Sequence, residues 1–276
     1  MKKQLIMEKA LELFAQQGFE ATSVQQITDY CGISKGAFYL SFKSKDELIL
    51  ALIDHFMMQF TSDADYVVIN TKDEEKLFHA FYYSTFHSFQ KHSDFAKILM
   101  KEQTQSFNKE LIIKMQSYDR LFEKTILSMI ERLYGKDVEQ TKYDLVYCIK
   151  GFISTYLHLL FLQNAPLDLN LLAQSLEEKT HLLARHSTIP FISQEMIQVV
   201  QQPMYEEVTM EQILEFMEQK INEIEESIEK ESLVLLKQHL LEPTLSPAIV
   251  KGLLENIRIH PHCKWIAYLL RNHFKF

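Results

Sequence analysis

An all-helical fold is predicted by three features of this 276-residue chain. No segment alternates apolar and polar residues for long, glycine occurs only 6 times, and no proline precedes Pro166. Hydrophobic residues make up 47% of the sequence, enough for a substantial core, yet no run of eighteen apolar residues is present to span a membrane.

The elements follow in order from local signals. A first helix is expected over Lys3 to Gln17, with Ile6, Ala10, Leu13 and Phe14 inward and Gly18 suited to its C-terminal cap. Charges interrupt its apolar stretch and no small-residue cleavage site follows, so the start reads as a helix and not a signal peptide. Ser23 caps the next helix with Gln26 completing a capping box, and Val24, Ile27 and Tyr30 or Cys31 give it one apolar face. Gly32 breaks it. Ser34 opens another helix that Ala37, Phe38 and Phe42 pack on its predecessor. Ser44 and Glu47 form a further capping box, starting a longer helix from Lys45 that carries Leu48, Ile49, Leu52 and Ile53. Short helices joined by a glycine turn, with a third leading away, make a helix-turn-helix unit.

Beyond it, Thr71 with Glu74 is expected to cap a helix carrying Leu77, Phe78, Phe81, Tyr82 and Phe86. Helices follow over about 94–107, 109–133, 142–163 and 168–186, punctuated by Pro166 and Pro190. Thr209 and Gln212 open what reads as one long helix to about Leu241. Its Met210, Leu214, Met217, Ile221, Ile224 and Ile228 fall at spacings of three and four, like a short coiled-coil seam. Glu231 interrupts that seam, and packing on the body is the simpler reading. Ser246 and Pro247 begin a helical pair ending at Phe276. Three parts result: 1–50, a helix-turn-helix domain; 51–190, a helical bundle; and 191–276, a helical C-terminal extension.

The formal net charge is −8, but the head is neutral. Lys2, Lys3, Lys9, Lys35, Lys43 and Lys45 balance Glu8, Glu12, Glu20, Asp29, Asp46 and Glu47, so the rest of the chain holds the acidic excess. Lys35, Lys43 and Lys45 cluster where two helices begin, and a phosphate contact needs only nearby cations and helix N-termini. Cys31, Cys148 and Cys263 lie far apart, which suggests a reducing cytoplasm and no disulfide framework.

Gly18-Phe19, Thr22 to Ile27, Gly32-Ile33-Ser34-Lys35-Gly36, Phe38-Tyr39, Phe42, Lys43-Ser44-Lys45 and Asp46-Glu47-Leu48 together resemble the TetR family of bacterial one-component repressors. The resemblance is strong over residues 3–50, weak over 51–190 and not evident over 191–276. It implies a dimer with N-terminal DNA-reading heads and a helical body that binds a small effector. Transferred residue by residue, it places Ser34, Lys35, Gly36 and Ala37 at base edges of the major groove. Ser23, Tyr39, Lys43 and Lys45 would hold phosphates.

For the body, the aromatic residues Phe81, Tyr82, Phe86, Phe122, Tyr147 and Tyr156 are candidates to line a cavity for a lipophilic effector. Ordinary core packing competes with that reading. Leu157, Leu160, Leu172, Leu176 and Leu183 offer apolar surface for pairing two copies. His260, His262 and Cys263 lie close together, but Pro261 intervenes and no fourth ligand is evident, so no metal is expected. No cofactor motif and no nucleophile, phosphate-loop or HExxH pattern occurs, which argues against an enzyme. The sequence therefore predicts a cytoplasmic, homodimeric DNA-binding regulator, a repressor released from its duplex operator by a lipophilic effector. The competing reading is a helical adaptor or lipid carrier whose N-terminal unit is structural.

Overall fold

A computed structural model describes residues 2–102, 109–162, 168–200, 208–260, 263–274 and 276. Among them all regular structure is helical. The chain divides into two compact units, Met1–Gln202 and Pro203–Phe276.

The first unit begins with α1 (Lys2–Gln17), α2 (Val24–Cys31), α3 (Lys35–Tyr39) and α4 (Lys45–Asn70). It continues with α5 (Leu77–Lys91), α6 (Ser93–Glu102), α7 (Lys109–Tyr134), α8 (Lys142–Leu162), α9 (Leu169–His186) and α10 (Gln194–Val200). The α10 segment, which the sequence assigned to the extension, thus belongs to the first unit, and α4 runs unbroken through the expected boundary at residue 50. Helix α5 lies centrally, packed on α4, α8 and α9. Its Phe78, Phe81, Tyr82 and Phe86 join Phe122, Ile126 and Ile130 of α7, Ile149 of α8 and Leu176 of α9 in one buried cluster.

Two side-chain hydrogen bonds cross between helices at this cluster. The Tyr82 and Thr180 hydroxyls lie 2.7 Å apart, and Thr180 also donates to the Leu176 carbonyl. The Tyr134 hydroxyl meets His181 Nδ1 at 2.6 Å. Burial raises the Tyr82 hydroxyl well above the usual tyrosine range, so it stays neutral and serves as a hydrogen-bonding group.

The cap expected at Thr71 and Glu74 does not form. Thr71 closes α4, and the Asp73 side chain accepts from the Glu75 N–H to start a single 3-10 turn, Glu74–Lys76, ahead of α5. A helix starting only at Leu77 is too far along for Thr71 to reach its open N–H groups.

The second unit contains α11 (Met210–Glu223), α12 (Ile228–Leu241), α13 (Pro247–Arg258) and α14 (Lys264–Phe274). The expected single helix to Leu241 is therefore two. Ile224 turns to extended backbone and Ser227 caps a new helix by accepting from the Lys230 N–H. Crowded Glu223, Glu225 and Glu226 disfavour continuing the helix, while the hairpin lets α11 bury Ile213 and Met217 and α12 bury Leu233 and Leu236. Ile228, expected in the apolar seam, is exposed. An ion pair between Lys237 and Glu218 ties the hairpin together. Val250, Leu254, Ile257, Ile266 and Leu270 complete this core, and α13 begins at Ser246 and Pro247 as the sequence indicates.

Candidate DNA-reading head

Local hydrogen bonds set the geometry of the head. The Ser23 hydroxyl accepts from the Gln26 N–H at 3.2 Å while the Gln26 side-chain Oε1 accepts from the Ser23 N–H at 2.8 Å, a complete capping box on α2. Gly32 closes α2 at φ +65°, a left-handed conformation that a side chain would strain. Ser34 then caps α3 by accepting from Ala37 N at 3.2 Å. The Ser44 hydroxyl accepts from Glu47 N at 3.0 Å, but Glu47 bonds to the Lys43 N–H and not to that of Ser44, so the expected box is only half made. Phe38 and Phe42 are buried, as are Ile27 and Phe14, and the Phe38 and Phe42 rings lie 6.0 Å apart.

With those two rings inward, the other side of the reading helix must face out. Ser34, Lys35, Gly36 and Tyr39 are exposed and Ala37 is half-buried. Nothing in the chain demands glycine at position 36, where an added Cβ would meet only the Ser34 hydroxyl, at 3.8 Å. Lys43 is exposed beside this face. Lys45 is placed otherwise: its ammonium donates to the Phe19 carbonyl at 2.7 Å and lies 4.2 Å from the centre of the Phe19 ring, fastening α4 to the turn after α1. Tyr30 donates to Glu12 at 2.6 Å and Lys9 pairs with the same carboxylate, holding the Glu12 carboxyl below its usual range. Sequence reasoning passed over Leu40, which is 91% exposed next to Tyr39. The signal was present, since a residue two places from both Phe38 and Phe42 points away from the face they bury.

The body separates residues that the sequence grouped. Phe81, Tyr82, Phe86 and Phe122 pack against one another in the core, with Phe81 and Phe122 stacked at 5.8 Å. Tyr156 is partly buried against that core. Tyr147 is 40% exposed, with the Lys150 ammonium 5.2 Å from its ring centre. A shallow crevice, partly open to solvent, lies between α4, α5 and α6, lined by Phe56, Met57 and Phe60, Ser88 and Phe89, His92 and Phe95, with Gln59 alongside. Phe56 stacks on Phe95 at 4.2 Å and meets the His92 ring edge-on at 4.9 Å. Burial, with Lys91 and His55 nearby, lowers the His92 pKa.

Of the leucines expected to pair two copies, Leu176 and Leu157 are buried in the core of the chain itself, and Leu172 and Leu183 pack partly against it. The Leu160 side chain lies outside the described residues. The outward face of α8 carries Tyr147, Gly151, Ser154 and His158, and that of α9 carries Leu171, Glu178 and Leu182. His260 lies 3.5 Å from the buried Cys263 thiol, whose pKa burial raises to about 11, while His262 lies outside the described residues. No described helix is long and apolar enough to cross a membrane.

A capped, outward-facing reading helix on a small three-helix head, joined by one continuous helix to an all-helical body, defines a helix-turn-helix, DNA-binding transcriptional regulator. Residues 6–52 match the family model described as bacterial regulatory proteins, tetR family. Two Bacillus subtilis proteins, the uncharacterized HTH-type transcriptional regulators YerO and YuxN, are similar over nearly the whole chain. YerO is 27% identical over 273 residues, 93% of this chain and 89% of its own. YuxN is 28% identical over 274 residues, 93% and 91% respectively. The fold resembles that of Bacillus subtilis FadR in complex with stearoyl-CoA, with a TM-score of 0.56 at 18% identity over 67% of this chain and 97% of that one. The similarity to the tetR family is thus carried by the head, residues 6–52.

Proposed function

We propose that the chain acts as a homodimeric repressor whose grip on its operator is relieved by a small lipophilic effector. One observation carries this reading: α4 begins at the DNA-reading head and, about three to four turns further on, supplies Phe56, Met57 and Phe60 to the apolar crevice. A molecule in that crevice presses on the same rigid element that positions the reading helix. Two heads fit successive major grooves only at a separation of about 34–36 Å or a multiple of it, so a small tilt of α4 spoils the fit without unfolding either head. The effector needs only to prefer the tilted state, and a tenfold shift requires about 1.4 kcal/mol of differential binding.

Within this reading Lys35, Gly36 and Ala37 approach base edges, with Leu40 adding apolar surface suited to a thymine methyl group. Ser23, Ser34, Tyr39 and Lys43 lie toward the phosphates. Lys45 supports the head from within. Two copies pair through the outward faces of α8 and α9, where Gly151 and Ser154 permit close approach and Leu171 and Leu182 are buried on association. A long-chain acyl-CoA is the first effector class to test, because FadR holds stearoyl-CoA in a similar fold.

Selection of bound fragments from genomic DNA, followed by titration of the recovered duplex at several salt concentrations, tests the reading. A repressor binds selected duplexes with an affinity that falls steeply with salt, and stearoyl-CoA weakens that binding. Absence of selective binding leaves the adaptor or lipid-carrier alternative.

A further inference from the structure

On either side of the Phe60–Phe122 ring contact, helix α7 grips α4 through polar side chains, and these two grips differ in kind. At the far end from the head, the Arg132 guanidinium donates to the Val68 carbonyl at 2.8 Å and the Thr71 carbonyl at 2.7 Å, with its Nε 3.5 Å from Glu74. These are carbonyls that the end of α4 leaves open, and a cation suits the negative end of the helix. Toward the head, the Asp54 carboxylate takes the Lys114 ammonium on one oxygen at 2.5 Å and the Tyr118 hydroxyl on the other at 3.2 Å. Tyr118 is buried, and burial together with Asp54 pushes its pKa far above the usual tyrosine range, so it remains a donor. The ion pair is about a quarter to a third exposed, so water can replace it when it opens.

We propose that Asp54, Lys114 and Tyr118 form a positioning latch: they set the tilt of α4, and through it the separation at which two heads engage DNA. The proposal rests on the regulator reading above. From the Arg132 grip back to Lys45, α4 is about 39 Å long at 1.5 Å per residue. A rotation of about 5° around that grip moves the head end by roughly 3 Å, close to one base-pair step. The same rotation moves Asp54 by about 2 Å, enough to part the carboxylate from Lys114 beyond ion-pair range. The latch therefore opens over the same small motion that mis-spaces the heads, whereas the Arg132 grip, at the pivot, stays closed.

Asp54, Lys114 and Tyr118 do not touch the reading helix, so their effect on DNA must appear as spacing and not as base preference. The test uses the full-length protein and a set of operator duplexes, recovered by genomic selection, in which the half-sites are moved apart or together by one and two base pairs. Wild type favours one spacing. Asp54→Asn and Lys114→Met are expected to reduce the ratio of affinities between the favoured spacing and its neighbours by about fivefold or more, and Tyr118→Phe by a smaller factor. Exchanging the pair, Asp54→Lys with Lys114→Asp, should restore selectivity toward wild type. Equal loss of affinity at every spacing, an unchanged ratio, or an exchange variant no better than the single changes overturns the latch. Should Asp54→Asn fail to fold, which a thermal melt reports, the near-isosteric Tyr118→Phe decides the matter by the same ratio. If wild type binds no duplex selectively, the regulator reading itself fails, a result distinct from loss of spacing preference in the variants.

Discussion

The head and the body of the first unit are built from the same kinds of residue, yet their surfaces obey different logic. In the head, Phe38 and Phe42 go inward while Lys35, Gly36 and Tyr39 turn outward, Tyr39 resting edge-on against Phe38 at 5.4 Å. In the body, Phe81, Tyr82 and Phe86 are fully buried and Phe122 nearly so, and the crevice is lined by Phe56, Phe60, Phe89 and Phe95. A surface that meets a large polar partner departs from the pattern of its own packing. An apolar cavity wall does not, because lining and core ask for the same side chains.

The comparison breaks most visibly at Leu176. It is fully buried beneath Thr180, so Leu176→Glu places an unpaired charge in the core and should cost about 4 kcal/mol or more, unfolding the unit. Leu182→Glu, on a side chain that is 52% exposed, should leave the fold intact and yield a monomer with weak operator binding. Circular dichroism melts with sedimentation separate the two. A folded Leu176→Glu monomer contradicts the assignment of α9's inner and outer faces.

Within the head, two lysines provide the next contrast. Lys45→Ala removes the tie to the Phe19 carbonyl and ring, so it should lower the head's melting temperature and weaken binding to every duplex alike. Lys35→Ala should leave melting unchanged and alter which operator variants bind best, by about 1–3 kcal/mol of discrimination. A uniform loss of affinity across an operator panel for Lys35→Ala removes it from base reading.

Single hydrogen bonds should matter less, and about equally in the two regions. Ser23→Ala loses a helix cap and Tyr82→Phe loses the bond to Thr180, each expected to cost about 1 kcal/mol in denaturant titrations. A cost near zero for Tyr82→Phe fits a hydroxyl whose bond merely offsets its desolvation.

The smallest effect is a pH dependence confined to the body. Burial holds the His92 and His181 pKa values below the ordinary histidine value, so between the folded and unfolded pKa values the unfolded chain binds more protons. Stability from these groups is present above about pH 6.5 and declines as pH falls through that window. His92→Gln should flatten the slope of melting temperature between pH 7.5 and 5.5, values chosen to lie roughly a unit either side of it. An unaltered slope assigns the dependence to other groups.

The amino-acid order was sufficient for what is settled within a few residues. The capping box of Ser23 and Gln26, the left-handed turn at Gly32, the caps at Ser34 and Ser44 and the inward pair Phe38 and Phe42 all follow from backbone geometry and spacing, and so the reading helix was legible. Only the folded chain decided where Lys45 points, because its partner at Phe19 lies 26 residues away. The same holds for Asp54, whose partners Lys114 and Tyr118 are 60 and 64 residues distant, and for Tyr82, bound to Thr180 across 98. The break at Ile224 belongs to both levels. Ser227 was available as a cap, but continuing the helix or folding it back depended on the apolar surface that α11 and α12 could bury together. Local signals choose backbone conformations, whereas burial and pairing are properties of elements that meet only when the whole unit has formed.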